Sequence, residues 1–484
     1  MVASGVDTRK RALAVCLAAA FMSGLDVSIV NVALPSIREG LHATEDGLQW
    51  ILSGYALTFG LLLVPAGRLG DARSRRTLFM WGVVLFTVSS AACGFAWDMN
   101  VLIVSRLVQG LAAGMVNPQV SGLIQQMFRG QERGRAFGAL GATIGVSTAA
   151  GPLIGGALVT AFGHEQGWRW VFLVNVPIGI VLLPLARKFL PAPQPAPASM
   201  EEGVPPGTES RGKRRRESLD PVGVLLLGIG VAGLLLPFIQ RHQWEGDTKW
   251  LLIPAALVVL AGFVTWERFY WREPLVDLAL FRKRSYSLGS IIALFYFAGF
   301  TGIFFIFTLY LQSGHQYSAL MAGLSITPFA LGSASASVVG GRLVARAGRR
   351  LVAFGLATVI VGLLATMAAT ALVPGEMVGL ATALPLLIAG VGSGLVISPN
   401  QAITLSEVPP EGGGSAAGVL QTGQRLGAAI GIAATGSTFF GALGQGWATA
   451  FRHGLLVVLT SVLIALVAAV YDLIRTYRTT PNSQ

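Results

Sequence analysis

The chain has 484 residues, of which 53% are hydrophobic and only 12% are charged, and its formal net charge is +12. Soluble domains usually carry about 25% charged residues, so the composition excludes an ordinary soluble protein. Apolar runs long enough to cross a bilayer, roughly 17–25 residues each, recur along the whole sequence. They are continuously apolar and do not alternate, which argues against a membrane β-barrel. The sequence therefore predicts an all-α polytopic membrane protein.

Fourteen apolar runs between charged or Pro/Gly-rich breaks are predicted to be membrane spans. In chain order they cover residues 12–35, 48–67, 78–97, 101–126, 136–161, 168–186, 221–240, 250–267, 286–311, 321–342, 351–373, 377–403, 414–440 and 453–474.

Basic residues are unevenly distributed over the segments between these spans. If the N-terminus is cytoplasmic, 28 of the 35 Lys and Arg residues lie in cytoplasmic segments and only 5 lie outside. Because Lys and Arg concentrate in cytoplasmic loops, both termini are predicted to be cytoplasmic. The basic run GKRRRES (residues 212–218) belongs to a Pro-rich loop on that side. We interpret it as a lipid-facing loop and expect no nucleic-acid partner.

A repeated motif divides the chain into two similar halves. GRLGDARSRR at residues 67–76 resembles GRLVARAGRR at residues 341–350, and each copy follows the second span of a six-span half. Duplicated bundles are typical of secondary transporters, which bind substrate between the two repeats. We therefore expect four segments: an N-terminal six-helix bundle over 12–186, a cytoplasmic loop rich in Pro and Arg over 187–220, two extra transmembrane helices over 221–267, and a C-terminal six-helix bundle over 286–474.

Further motifs lie within the first half. LDVSIVNVALP (residues 25–35) occupies the first span, LIVSRLVQGLAAG (102–114) the fourth, GPLIGG (151–156) the fifth and WRWVFLVNVPIG (168–179) the start of the sixth. Together with GRLGDARSRR they resemble the major facilitator superfamily, specifically its fourteen-span drug:proton antiporter branch of the EmrB/QacA type. The loop motif departs from the family pattern at Ala72, usually basic, and at Ser74, usually Gly.

The resemblance implies a major facilitator fold and proton-coupled export of small hydrophobic drugs or toxic compounds by alternating access. It implies a proton gradient as the energy source and no other cofactor. The expected partners are a small-molecule substrate, protons and the lipid bilayer. We expect a monomer in the cell membrane, and the abundance of Arg, Ala and Gly suggests a bacterial source.

Two motifs carry expected mechanical roles. The gating motif comprises Gly67, Asp71, Arg75 and Arg76. Its acid can face the positive end of a neighbouring helix and close the cytoplasmic side. The second copy has Ala345 where the acid would be, so its latch is expected to be weaker. The antiporter motif comprises Gly151, Pro152, Gly155 and Gly156. With Ser147 its glycines form a stripe of small residues that permits close helix packing.

Asp26 lies deep within the first span, where a charge costs at least about 2.5–3.5 kcal/mol. Arg106 is the candidate partner, because a helical rise puts the two residues about 15 Å and about 9 Å below the outer ends of their helices. Burial favours the protonated acid and a nearby arginine favours the carboxylate. We expect Asp26 to carry the proton and Arg106 to tune it. The alternatives are a permanent structural counter-ion and direct contact with a cationic substrate.

Polar and aromatic residues within the spans are candidates for lining a substrate cavity. They are Asn31, Asn117, Asn175, Phe295, Tyr296, Asn400, Gln421 and Arg425.

Other classes of function find little support in the residues. The sequence has no GxxxxGK[ST] phosphate loop, no metal-ligand spacing among its five histidines, and no catalytic Ser/His/Asp arrangement. We therefore expect neither an enzyme nor a metal site. Two alternatives remain open: transport of one specific metabolite or self-made antibiotic in either direction, and a membrane sensor or scaffold that transports nothing.

Overall fold

The computed structural model describes residues 2–163, 165–192, 220–239, 246–270, 274–373, 375 and 377–479. Within these ranges the regular structure is entirely helical. Most of the predicted loop over 187–220, including the basic run at 212–218, lies outside the described residues. The predicted all-α class is confirmed by the helices themselves.

The described part of the first half contains seven α-helices. They are α1 (Val2–Gly40), α2 (Glu45–Ala72), α3 (Arg75–Gly94), α4 (Met99–Met127), α5 (Gly130–Phe162), α6 (Gly167–Leu173) and α7 (Asn175–Phe189). The short α6 and the following α7 occupy the predicted sixth span. The predicted break at Pro35 does not end α1, which continues to Gly40.

Two helices follow, α8 (Pro221–Ile239) and α9 (Leu252–Phe269), and they pack on each other. The indole Nε1 of Trp266 donates to Asp220 at 2.7 Å and joins the ends of this pair. The pair reaches the rest of the protein chiefly through α2, which packs against α8.

The described part of the second half again contains seven α-helices, and the first of them is followed by a π-helical turn at Tyr310–Gly314. They are α10 (Arg284–Leu309), α11 (Ala319–Ala347), α12 (Arg349–Leu372), α13 (Val378–Ala381), α14 (Ala383–Thr404), α15 (Gly413–Gly441) and α16 (Trp447–Thr479).

Twelve helical segments of the described chain are long and apolar enough to cross a membrane. Two of the fourteen predicted spans fall outside this set. The described apolar stretch of α8, Pro221–Pro237, is short. The other is α15, which is long but rich in Gly, Gln, Ser and Thr. The described residues therefore support twelve membrane spans, and the fourteen-span count stays a prediction.

The halves meet along a few helix pairs. Helices α5 and α11 pack closely, as do α2 and α15, while α4 and α5 also contact α15 and α14. One apolar cluster contains Phe79 and Phe137 together with Leu420 of the second half, so it spans the interface. A second cluster, around Ile292, Phe307 and Phe451, lies within the second half. Small residues occupy the contacts between the halves: a side chain at Gly67 would lie 2.3 Å from the carbonyl oxygen of Gly414.

The two copies of the GRL motif turn between helices in different ways. Ser74 is extended, with φ −170°, and its hydroxyl accepts from the N–H of Thr77 at 3.2 Å to cap α3. The corresponding Gly348 has φ +52°, a left-handed conformation that glycine adopts without strain. The departure at Ser74 is thus explained, because the first turn needs a helix cap and no positive φ.

Candidate functional site

A fully buried ion pair lies in the centre of the first half. Asp26 on α1 and Arg106 on α4 have exposed fractions of 0% and 1%, and Arg106 Nη1 lies 2.7 Å from Asp26 Oδ2. The two residues are 80 apart in sequence and lie on different helices, and the fold brings them together as the sequence suggested. A charge-assisted hydrogen bond of this length is among the stronger kinds.

Two amides complete the surroundings of the carboxylate. Gln109 Nε2 donates to Asp26 Oδ1 at 2.9 Å and Asn175 Nδ2 donates to the same oxygen at 3.1 Å. Both amides also donate to the hydroxyl of Ser90 on α3, at 2.8 and 3.1 Å. Each partner is buried, and every donor to the carboxylate favours its ionised form. We call Asp26, Arg106, Gln109, Asn175 and Ser90 the Asp26 network.

Arg106 has further partners that hold its side chain. Its Nε donates to the carbonyl of Ile51 at 3.2 Å and its Nη1 to Gln109 Oε1 at 2.8 Å. Its guanidinium lies 4.2 Å from the ring centroid of Tyr55 and 5.7 Å from that of Phe172. The cation is therefore enclosed by one acid, two carbonyl oxygens and two aromatic faces.

Sequence analysis did not identify Gln109, Ser90 or Tyr55 as neighbours of the ion pair, although the spacing of Gln109 could have indicated it. Gln109 lies three residues after Arg106, so both side chains project from one face of α4. No comparable signal marks Ser90 or Tyr55, which are ordinary polar and aromatic residues within apolar runs.

The gating motif connects the two halves. Both oxygens of Asp71 accept from backbone N–H groups at the start of α15, from Gly414 at 2.9 Å and from Ser415 at 2.7 Å. The first N–H groups of a helix have no partner within it, and its N-terminus is partially positive. The carboxylate of Asp71 satisfies two of these groups and fixes α2 against α15.

Arg75 adds contacts both to the second half and to α4 of its own half. Its Nη2 lies 2.6 Å from Asp71 Oδ1, and it also donates to the carbonyls of Pro410 and Glu411 just before α15. A further bond joins Arg75 to the carbonyl of Gly122 on α4, at 3.1 Å. Arg76 lies in the same motif but stays within the first half, where it donates to carbonyls of Arg187 and Leu190.

Two glutamines of the second half reach one serine of the first. Gln401 Nε2 and Gln421 Nε2 both lie near the buried hydroxyl of Ser121, at 3.1 and 3.2 Å. Gln125 adds a bond to the carbonyl of Gly413 at 3.4 Å. These contacts and those of Asp71 and Arg75 form what we call the latch, which closes one end of the interface between the halves.

The second GRL copy has Ala345 in place of the acid, but its arginine has an acidic partner. Arg349 Nε lies 2.8 Å from Asp472 Oδ2, and Arg284 Nε lies 2.7 Å from Asp472 Oδ1. Arg349 also bonds Asn400 and the carbonyl of Ser285. The missing acid at Ala345 is thus replaced by one from α16, and the resulting contacts stay within the second half.

The antiporter motif lies against the helix that carries Asp26. A side chain at Gly151 would lie 2.1 Å from the hydroxyl of Ser28, and one at Gly155 would meet Ile29 at 2.9 Å. Ser28 also donates to the carbonyl of Ser147 at 3.0 Å. Pro152 instead faces Gly323 of α11, and Gly156 has no neighbour within 4 Å of the place a side chain would occupy. Two glycines of the motif therefore determine how closely α1 and α5 approach.

The candidate cavity residues occupy several environments. Asn175 is part of the Asp26 network, Asn400 bonds Arg349, and Tyr296 is buried in the core of the second half. Asn31 is exposed and bonds its own helix at the carbonyl of Val27. Asn117 is half-buried and bonds the carbonyl of Ala113, and Phe295 packs at the edge of the second core. Gln421 and Arg425 lie on α15 where it faces the first half.

A narrow cleft lies between α5 and the second half. Its lining includes Phe300, Phe304 and Phe329 on one side and Gly145 and Thr148 on the other. The three rings contact one another at centroid distances of 5.0 to 5.9 Å. The interface thus offers an aromatic wall beside the antiporter motif.

Comparison with known proteins gives consistent matches. The family model described as Major Facilitator Superfamily matches residues 16–432. The chain is 35% identical over 447 residues to the probable actinorhodin transporter of Streptomyces coelicolor, covering 90% of this chain and 73% of that protein. It is 33% identical over 425 residues to the multidrug resistance protein Stp of Mycobacterium tuberculosis, covering 86% of this chain and 73% of that protein.

The fold also resembles solved structures. A structure of the proton:xylose symporter XylE, bound to 6-bromo-6-deoxy-D-glucose, superposes with a TM-score of 0.66 at 15% identity, covering 99% of this chain and 97% of that chain. At this level of identity the similarity concerns the fold alone.

Proposed function

The chain belongs to the Major Facilitator Superfamily, and from this premise we propose that it is a proton-coupled exporter of small hydrophobic compounds. Transporters of this superfamily are not enzymes, and relatives of this chain are named as antibiotic or multidrug exporters. The observation that carries the proposal is the Asp26 network: an acid with no exposed surface, held by a cation and two amide donors.

In the proposed cycle Asp26 carries the transported proton. A buried carboxylate needs all its donors, because each lost donor leaves charge uncompensated in a medium of low dielectric. Movement of α1 relative to α4 and α7 separates Asp26 from Arg106, Gln109 and Asn175. The protonated form of Asp26 is then favoured. Return of the donors expels the proton. Proton binding is thereby linked to which side of the protein is open.

The latch supplies the alternation in this proposal. Asp71 and Arg75 hold one end of the interface closed through contacts with the start of α15, and breaking them opens that end. Helices α1 and α5 pack through Gly151 and Gly155, so a rearrangement at Asp26 is passed to α5 and from there to α11. Rocking of the halves about a central site is the general mode of transporters built from repeats.

Several finer features belong to the same proposal. We assign fourteen spans, with both termini cytoplasmic, and assign the chain to the drug:proton antiporter branch; the 28 to 5 distribution of basic residues supports the orientation. We propose a monomer in a bacterial cell membrane that is driven by the proton gradient without another cofactor. The substrate, protons and lipid are its partners, and nucleic acid is not.

A second candidate is a specialist exporter of one compound. It is favoured by the similarity to a protein named for a single compound, actinorhodin, whereas the similarity to Stp favours a broader range. The two differ only in substrate breadth, because the proton site and latch serve both.

Flux measurements in proteoliposomes test the proposal. A chemically diverse set of labelled hydrophobic compounds is loaded, and efflux is recorded with and without an imposed pH gradient. The proposal predicts gradient-dependent flux that Asp26→Asn abolishes and that Glu39→Gln, an exposed acid on the same helix, leaves intact. Flux of one compound alone identifies the specialist. Absence of flux for every compound, or undiminished coupled flux in Asp26→Asn, contradicts the proposal.

A further inference from the structure

One arginine at membrane depth is paired differently from the others. Arg425 lies 12 residues into α15, roughly 18 Å from its start at a rise of 1.5 Å per residue. Arg75, Arg106 and Arg349 each lie within 2.8 Å of a carboxylate oxygen. Among the described residues no carboxylate lies within ion-pair distance of Arg425, which is half-buried.

The side chain of Arg425 faces the other half of the protein. Its guanidinium lies 4.2 Å from the ring centroid of Phe59 on α2. Gln421, one turn earlier on the same face of α15, reaches Ser121 of the first half. Arg425 is therefore a permanent cation at the interface between the halves, since a guanidinium does not lose its proton at physiological pH.

Two aromatic rings continue from Arg425 towards the Asp26 network. Phe59 and Tyr55 lie one turn apart on α2, with centroids 6.0 Å apart, and Tyr55 lies 4.2 Å from the guanidinium of Arg106. The hydroxyl of Tyr55 is buried, and within the described part of the chain it has no hydrogen-bond partner. Buried hydroxyls usually have a hydrogen-bond partner, so the hydroxyl of Tyr55 is available to bond a ligand.

The surroundings define the chemistry of a ligand. The unbalanced charge is positive, and an aromatic ring satisfies a guanidinium only in part. A carboxylate or phenolate would supply the missing counter-charge with two parallel hydrogen bonds. The adjacent rings of Phe59 and Tyr55 favour an aromatic body. A cationic ligand has no comparable anchor, because Asp26 is already engaged by three donors.

We propose that Arg425 is a substrate-binding residue that anchors the acidic group of an aromatic compound at the interface between the halves. This inference rests on the proposed transport function and names the chemical class of its substrate. The two central arginines then have different roles: Arg106 pairs with the carboxylate of Asp26, and Arg425 binds the acidic group of the substrate.

Binding of three matched probes to the purified full chain tests this assignment. The probes are 9-anthracenecarboxylic acid, its neutral carboxamide and the cationic 9-aminomethylanthracene, which share one aromatic body. Binding is followed by quenching of protein fluorescence. We expect the acid to bind at least tenfold more tightly than the amide, and the cation to bind most weakly.

Variants at Arg425 assign the preference to this residue. Arg425→Gln is expected to reduce acid binding at least tenfold and to leave amide binding unchanged, and Arg425→Lys to retain most of the preference. Unchanged amide binding also shows that the Gln variant is folded. Equal binding of the three probes, no binding by any of them, tightest binding of the cation, or a preference for the acid that survives in Arg425→Gln would overturn the inference.

Different outcomes contradict this inference and the proposed transport function. Gradient-driven flux without a preference for acids contradicts only the inference about Arg425. An acid preference that depends on Arg425, without gradient-driven flux of any compound, contradicts only the transport proposal.

Discussion

The carboxylate of Asp71 accepts a hydrogen bond from the backbone N–H of Ser415 at 2.7 Å, across 344 residues of sequence and across the interface between the two halves. The neighbouring N–H of Gly414 donates to the same carboxylate. A single side chain of one half therefore caps a helix of the other half. The contact between the halves is thus made by a carboxylate and a helix N-terminus, and it does not depend on an ion pair alone.

Loss of the Asp71 charge should loosen the start of α15. Hydrogen bonds to charged groups contribute about 1.5–3 kcal/mol, so Asp71→Asn is expected to accelerate amide exchange at residues 413–418 roughly tenfold or more. Hydrogen–deuterium exchange of that peptide measures the effect. Arg73→Gln, an exposed change in the same motif, is the control. Equal exchange in wild type and Asp71→Asn would show that the cap does not hold the latch.

Substitution by alanine should impair transport at one glycine of the antiporter motif and leave it nearly unchanged at another. Gly151→Ala places a methyl group 2.1 Å from the Ser28 hydroxyl and forces α1 and α5 apart, whereas Gly156→Ala meets no atom within 4 Å. Overpacking costs about 1–3 kcal/mol, so Gly151→Ala should lower the transport rate roughly tenfold, with near-normal transport in Gly156→Ala. Flux in proteoliposomes checks this. Similar rates in the two variants would mean that the close packing is not required.

The buried contacts of Arg349 should stabilise the second half. Removal of one partner from a buried ion pair costs about 3–5 kcal/mol. Asp472→Ala leaves Arg349 without its carboxylate and is expected to lower the Tm of the detergent-solubilised protein by several degrees. Arg346→Ala, at an exposed position of the same motif, should leave the Tm unchanged. An equal Tm for both variants would refute a stabilising role for Asp472.

Gln109 should set the pH range of transport. Its amide donates to the Asp26 carboxylate at 2.9 Å and so favours the ionised form. In Gln109→Ala the protonated form is relatively more stable, and the pH profile of transport is expected to move to higher pH. Asn117→Ala, which removes an amide that bonds outside the network, provides the comparison. A profile that moves to lower pH, or does not move, would contradict this positioning role.

The sequence predicted some parts of the site better than others. Apolar run length identified the helices, and the isolated charges Asp26 and Arg106 could be paired because an unpaired charge in a membrane is costly. Asn175 was assigned to the cavity although it bonds Asp26, because the direction of a side chain depends on packing that apolarity does not report. From Ala345 the sequence predicted only a weaker latch, and it did not predict that Asp472 would be the acidic partner of Arg349. Asp472 is 123 residues away from Arg349 and comes close only in the fold.

The ionisation of Asp26 is the central claim, and infrared difference spectroscopy of the purified protein tests it most directly. A pH titration of wild type should show a carboxylic-acid carbonyl band that disappears as pH rises over the range in which transport changes. The band should be absent from Asp26→Asn and present in Glu39→Gln. An Asp26 band that stays constant across that range, or a titrating band that persists in Asp26→Asn, would contradict the account.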